Sequence, residues 1–150
     1  MTNAMSAAET MGSVTVNRVE LSLAADAQML FLARMTAAAV ASRADFELER
    51  VEDLRLAIDE LCIRLMSAAT GPARITLVFQ WDESGLDVLG TLVPVGGPSS
   101  NGHRAPMADA GTYDELSERI LDALVDGHGG DEIDGIHRAW VRMECVEHLA

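Results

Sequence analysis

Two side chains of opposite charge, Glu60 and Arg64, stand four residues apart in the most periodic part of the chain. Around them, apolar residues recur at the spacing of one helical face, which predicts a helix over residues 51–69 with that face buried: Val51, Leu54, Ile58, Leu61, Cys62, Leu65 and Met66. Glu followed by Arg at this spacing favours an ion pair along the helix surface. Alternatively, the Arg64 guanidinium could contact a phosphate. It has donors and no acceptor, so it cannot bind a metal ion.

The segment VEDLRLAIDELCIRL, residues 51–65, resembles the first ATP-binding box of the anti-sigma factor kinases of the RsbW type, within the GHKL ATPase superfamily. In that box a Glu is followed four residues later by an Asn. The resemblance implies that Glu60 matches the Glu, which acts as general base toward a protein serine. Arg64 replaces the Asn that holds magnesium, and the same helix resembles actinobacterial anti-sigma factors of the UsfX type, which also have Arg there. Glu60 is therefore the candidate catalytic base, and Arg64 the candidate nucleotide contact.

The other two ATP-binding boxes of the family are degraded in this chain. The second box contains an Asp that accepts a hydrogen bond from adenine, yet no carboxylate occurs between Asp87 and Asp109. The third is a glycine-rich turn that binds phosphates at a helix start. Its counterpart, residues 111–121, carries acidic side chains that would repel ATP: Asp114, Glu115 and Glu118. We therefore predict that the fold is kept and nucleotide chemistry is lost, so that ATP and magnesium are cofactors only if kinase activity survives.

A second resemblance lies upstream, in residues 30–36, which read LFLARMT. They are similar to a family segment in which an Arg contacts both the sigma factor and its antagonist, and Arg34 matches that Arg. Its neighbours Leu30, Phe31 and Met35 are apolar, and an exposed apolar surface commonly marks a partner. Arg34, Leu30, Phe31 and Met35 are therefore predicted to bind partners. An ordinary solvated Arg over apolar neighbours would give the same pattern.

Composition narrows the class of protein. With 150 residues and 49% hydrophobic content, the chain can form one domain, which we place at residues 14–150 after a flexible leader at residues 1–13. The net charge of −13 argues against nucleic acid and suits a partner with a basic surface. The N-terminal residues lack the basic segment and apolar core of a signal peptide, and no uncharged apolar run is long enough to span a membrane. The sequence therefore predicts a cytoplasmic protein. The scattered His and Cys residues lack metal-ligand spacing, so no metal site is predicted.

Periodicity and turn residues predict an α+β fold. The resemblance implies a GHKL (Bergerat-type) sandwich, with helices on one face of a mixed, mostly antiparallel sheet. The predicted order is a strand at 14–23, a helix capped by Asp26 that ends near 42, and a helix from about Asp45 to before Gly71. A hairpin at 75–93, a loop at 95–111, a helix from Thr112 or Asp114 to about 126, a glycine break at 127–130 and a closing strand at 138–145 follow.

Three functions remain open at this point. The first is an anti-sigma factor that sequesters an alternative sigma factor until an anti-anti-sigma antagonist of the STAS type displaces it, without nucleotide chemistry. The second is an active serine kinase that phosphorylates the antagonist, with Glu60 as base and Arg64 steadying phosphate in place of a metal. The third is a regulator that binds antagonists and no sigma factor. The resemblance also implies a homodimer.

Overall fold

The computed structural model describes residues 17–96 and 110–146, and for residues 110–114 the backbone alone. The strands are β1 (Asn17–Ala24), β2 (Ala73–Asp82), β3 (Gly85–Pro94), β4 (Gly127–Ile133) and β5 (Ile136–Glu144). The helices are α1 (Leu30–Arg43), α2 (Leu48–Ser67) and α3 (Ala110–Leu124). The predicted leader, residues 97–109 of the predicted loop, and the proposed cap side chains Thr112 and Asp114 lie outside the described part.

The five strands form one open sheet in the order β1-β2-β3-β5-β4, and every pairing among them is antiparallel. Because strand side chains alternate, the sheet has two faces. The inner face carries buried residues such as Ile75, Leu77 and Phe79 of β2. The opposite side, called here the open face, carries Leu89 and Trp140, which are paired across β3 and β5 and are 37% and 42% exposed.

All three helices lie on the inner face, which confirms the predicted α+β sandwich. Helix α2 packs on β2, β3 and β5, with α1 on one side of it and α3 on the other. Its buried residues match the predicted stripe, apart from partly exposed Met66, and include Ala57 as well. The close approach of α2 to the sheet depends on Gly90 of β3. A Cβ at that position would lie 2.6 Å from Leu61 Cδ2 and 2.7 Å from Leu65 Cδ1.

A side-chain cap and a backbone angle set the starts of the first two helices. Asp26 accepts a hydrogen bond from the Gln28 backbone N–H, capping the 3-10 turn Ala27–Met29 that leads into α1. This confirms the predicted cap. Helix α2 begins at Leu48, three residues later than predicted, because Asp45 has a φ of 64° and cannot form part of a right-handed helix.

The third helix ends before residues 127–130, as predicted, but the sequence analysis did not predict that these residues open the edge strand β4. Glycine disfavours strands, yet β5 supplies an antiparallel partner along the whole of β4. The Trp140 ring covers Gly129 so closely that a Cβ there would lie 2.8 Å from it. The hairpin turns at Asp134 and Gly135, whose φ angles of 52° and 79° fit a two-residue primed turn.

Candidate functional site

Glu60 and Arg64 lie in the C-terminal half of α2, half-buried, and do not pair with each other. Among the described residues, neither side chain makes an ion pair or a hydrogen bond. The predicted ion pair along the helix is therefore not formed. Arg64 lies beside the edge strand instead, with its Cζ 3.8 Å from the position of a Cβ on Gly130. The Glu60 carboxylate has no partner among residues 17–96 and 115–146.

A cavity of about 650 Å³ opens beyond the C-terminal end of α2. It is bounded by the chain from Ala68 to Ala73, the end of β3 and the β4–β5 turn. Among the residues that the structure describes, its ionisable side chains are Glu132, Asp134 and His137, and no Arg lines it. The negative end of the α2 dipole also points to this region. The cavity is thus electrostatically unsuited to a polyphosphate, and neither Glu60 nor Arg64 lines it.

The remaining nucleotide-binding positions lack suitable chemistry as well. The one carboxylate within β3, Asp87, lies on the open face, where its Oδ2 accepts a hydrogen bond from Arg142 at 2.6 Å. Asp87 therefore cannot accept a hydrogen bond from an adenine bound on the inner side of the sheet. On α3, Glu115 and Glu118 are exposed, and the buried Ser117 hydroxyl has no partner among the described residues.

Arg34 of α1 is joined to Asp59 of α2 by one ion pair, with Arg34 Nη1 3.1 Å from Asp59 Oδ2. Sequence reasoning did not single out Asp59, which is 25 residues away from Arg34. The Arg34 side chain is 39% exposed, and that of Asp59 is 23% exposed. The pair therefore lies at the edge of the groove between α1 and α2, open to solvent on one side.

The apolar side chains around this ion pair are exposed on the outer surface of the helices. Phe31 and Met35 are 49% and 64% exposed, and lie one turn before and one residue after Arg34. Leu56, one turn before Asp59 on α2, is 54% exposed. We call the set Phe31, Arg34, Met35, Leu56 and Asp59 the α1–α2 surface.

Leu30 does not belong to the α1–α2 surface, contrary to its predicted contact role. It is only 8% exposed and packs in the core with Ala33 and Ala37, because these residues recur along the face of α1 that meets the sheet. Its contribution is to the stability of α1. Phe31, Arg34 and Met35 lie at the surface, and their role in partner binding stays a prediction.

Cys62 is a core residue, three positions after Asp59. Burial, and secondly the charge of Asp59, raise the pKa of its thiol to about 12. It therefore stays protonated at neutral pH. Cys145 follows the end of β5 and is half-buried, and burial raises the pKa of its thiol as well.

In the described ranges 17–96 and 110–146, no helix is long and apolar enough to cross a membrane.

The open antiparallel sheet with three helices on one face is the architecture of a GHKL-like sandwich. No family model matches the chain. The anti-sigma-F factor RsbW of Mycobacterium tuberculosis strain H37Rv is 41% identical over 63 residues, 42% of this chain and 38% of that protein. The serine-protein kinase RsbW of Bacillus cereus strain B4264 is 31% identical over 74 residues, 48% of this chain and 46% of that protein.

These comparisons confirm the resemblance to proteins of the RsbW type. The matched segments cover less than half of this chain, and less than half of the length of the curated relatives.

Proposed function

We propose that this chain is an anti-sigma factor that sequesters an alternative sigma factor in the cytoplasm and releases it to an anti-anti-sigma antagonist of the STAS type. The observation that carries the proposal is the α1–α2 surface. Within the described residues, Arg34 makes one side-chain hydrogen bond and keeps further donors, and it stands among exposed apolar side chains. An Arg among apolar and aromatic side chains is a common composition for the centre of a protein interface. The anti-sigma-F name of the mycobacterial relative supports this function.

The net charge of −13 complements a basic partner. Long-range attraction of this kind raises the rate of association more than it lowers the rate of dissociation. Screening by salt weakens it, because the Debye length is only about 8 Å at physiological ionic strength. The proposal therefore implies that capture of the sigma factor slows as salt is added.

Release by competition between partners, without phosphorylation, is the second part of the proposal. It is supported by Arg64 in place of a metal-binding Asn and by the exposed acidic side chains Glu115 and Glu118 on α3, in the counterpart of the phosphate-binding turn. A polyphosphate bound at the start of α3 would meet like charges there.

Serine kinase activity is the second candidate function. The Glu60 carboxylate favours it, because it has no partner in the described part of the chain and a general base must be free to accept a proton. The name of the Bacillus cereus relative favours it too. Calorimetry with magnesium and ATP at millimolar concentration decides between the two functions. Heat of binding in the wild type that is absent from a Glu60→Ala, Arg64→Ala double variant would support the kinase. No heat of binding in the wild type would exclude the kinase.

The main test is capture of proteins from a lysate of the source bacterium on immobilised chain, with identification by mass spectrometry. An Arg34→Glu variant is run beside the wild type. Arg74→Glu is the matched control, since Arg74 is exposed on β2, on the opposite side of the sheet from the helices. A sigma factor held by the wild type and the control, and lost by Arg34→Glu, is the expected result. Recovery of STAS proteins alone would favour the regulator that binds only antagonists.

We propose in addition that the chain forms a homodimer, as the RsbW-type resemblance implies. The open face offers a surface for it, because Leu89 and Trp140 are exposed beside the Arg142–Asp87 ion pair. Light scattering after size exclusion should give twice the monomer mass for the wild type, and a monomer for Trp140→Glu. A monomeric wild type would contradict the proposal.

A further inference from the structure

We infer that Asp59 is a positioning residue for Arg34, and that the partner group that Arg34 binds is a carboxylate set among apolar side chains. The inference rests on the proposed function, because it states how the α1–α2 surface would hold its partner. It assigns a role to a residue that neither the motif nor the family resemblance singles out.

The first observation is that Asp59 uses only part of the Arg34 guanidinium. Nη1 of Arg34 donates to Asp59 Oδ2 at 3.1 Å, and this is the one hydrogen bond of the Arg34 side chain among the described residues. Arg138 and Asp131 show the alternative, since Arg138 Nε and Nη2 donate to the two oxygens of Asp131 at 2.8 and 2.7 Å. In that pair the Nε and Nη2 edge is occupied. In Arg34 the same edge donates to none of the residues that the structure describes.

The second observation concerns the surroundings of the Asp59 carboxylate. Its Oδ1 is buried and accepts no hydrogen bond from a described residue, although a buried acceptor normally finds a donor. Its negative charge contributes to the raised pKa of the buried Cys62 thiol one turn later. The carboxylate therefore reaches into the packed side of α2. Asp59 is thus the more buried member of the pair, and Arg34 is the more exposed one.

The chemistry of the partner follows from the edge that remains available. Nε and Nη2 of Arg present two parallel N–H groups, whose spacing matches the two oxygens of a carboxylate. An Arg side chain that is already held loses less conformational freedom on binding than a free one. Phe31, Met35 and Leu56 are exposed around the pair, so the acidic group should come from an otherwise apolar segment of the partner.

Affinity for the purified sigma factor recovered by capture is the first readout. Asp59→Ala should weaken binding about tenfold, because the Arg34 side chain is then no longer held in place before the partner binds. Asp59→Asn keeps an acceptor for Nη1 and should retain most of the affinity. Arg34→Lys keeps the charge but lacks the parallel donors, and should bind weakly. Glu52→Ala is the matched control: it removes an acidic residue from the same helix and leaves Arg34 untouched.

Combination of the variants separates positioning from a general structural effect. In an Arg34→Ala background, Asp59→Ala should have no further effect on affinity, because Asp59 acts through Arg34. An equal loss in both backgrounds, an Asp59→Asn variant as weak as Asp59→Ala, or full affinity of Arg34→Lys would each overturn the inference. Thermal unfolding of every variant shows whether the fold is intact.

A measurement without any partner keeps this inference distinct from the proposed function. In NMR spectra of the free chain, rotation of the Arg34 guanidinium should be slow in the wild type, in Glu52→Ala and in Asp59→Asn. It should be fast in Asp59→Ala. If the wild type holds no sigma factor, the proposed function fails, and these spectra alone decide the role of Asp59: equal rotation in wild type and Asp59→Ala would refute it.

Discussion

Gly90 of β3 lies so close beneath Leu61 of α2 that a methyl group on Gly90 would come within 2.6 Å of Leu61 Cδ2. Leu65 and Leu77 close the same space from either side, at 2.7 and 3.2 Å. All three leucines are almost fully buried, so none of them can move aside freely. The helix that carries Glu60 and Arg64 therefore approaches the sheet at a point where the sheet has no side chain.

We expect Gly90→Ala to lower the free energy of unfolding by about 1 to 3 kcal/mol, because overpacking forces side chains off their preferred rotamers. Urea denaturation measures the change. Gly71→Ala is the control, since a Cβ on Gly71 would meet nothing within 4 Å. Equal stability of the two variants would show that α2 can shift away from β3 at little cost.

Leu30 and Phe31 are adjacent in sequence but should respond in opposite ways to truncation. Leu30→Ala removes a buried side chain and should lower the free energy of unfolding by about 2 to 3 kcal/mol. Phe31→Ala removes a side chain that is 49% exposed, and should change it by less than about 1 kcal/mol while weakening partner binding. Paired denaturation and binding curves test this. A stable Leu30→Ala variant would contradict the core position of Leu30.

Arg50 ties the start of α2 to the junction between α3 and β4. Its Nη2 is 2.7 Å from Asp126 Oδ2, and its Nη1 donates to the Leu124 carbonyl at 3.3 Å. Arg50→Ala should destabilise the chain by about 1 to 2 kcal/mol, because the carbonyl and Asp126 lose a shared donor. Arg55→Ala, which breaks an exposed pair with Glu52 within one helix, should cost less than about 0.5 kcal/mol. Thermal unfolding compares the two variants. If Arg55→Ala were the more destabilising, Arg50 would not be an important link between α2 and the α3–β4 junction.

The β2–β3 turn should make stability depend on pH through Asp82. Hydrogen bonds from the Ser84 side chain and backbone lower the pKa of the Asp82 carboxyl below 3.8, its ordinary value. A depressed folded-state pKa contributes stability that is present above pH 3.8 and is lost as the pH falls through the folded-state value. The difference in melting temperature between wild type and Asp82→Ala should thus be constant from pH 7 to 5 and shrink below pH 4. A difference that stays constant down to pH 2 would contradict this.

The parts of the structure that follow from local rules could be predicted from the sequence. The α2 stripe is an example, since the burial of Val51, Leu54 and Leu61 follows from helical spacing alone. Strand β4 could not be predicted from propensity, because its glycines are stabilised by pairing with β5 and by the Trp140 ring. One local signal for it was present, the Asp134–Gly135 pair, which commonly forms a two-residue hairpin turn.

The candidate site was only partly accessible to such reasoning. Arg34 could be found because its segment resembles a known one. Its contact with Asp59 joins two helices across 25 positions, and no spacing rule relates residues in different helices. The cavity at the end of α2 combines the end of one helix, one strand end and one turn, and its acidic character comes from Glu132 and Asp134 of the unpredicted hairpin.

Trp81 and Trp140, the two tryptophans of the chain, stand on opposite faces of the sheet. Trp81 shares the inner face with Phe79 of the core, whereas Trp140 stands on the open face, 42% exposed. The chain thus carries a separate fluorophore for each of its two sides. With Trp81→Phe, emission comes from Trp140 alone, and acrylamide quenching of it reports events at the open face. Self-association there would shield this indole from the quencher, while a protein docked over α1 and α2 would leave it as accessible as before.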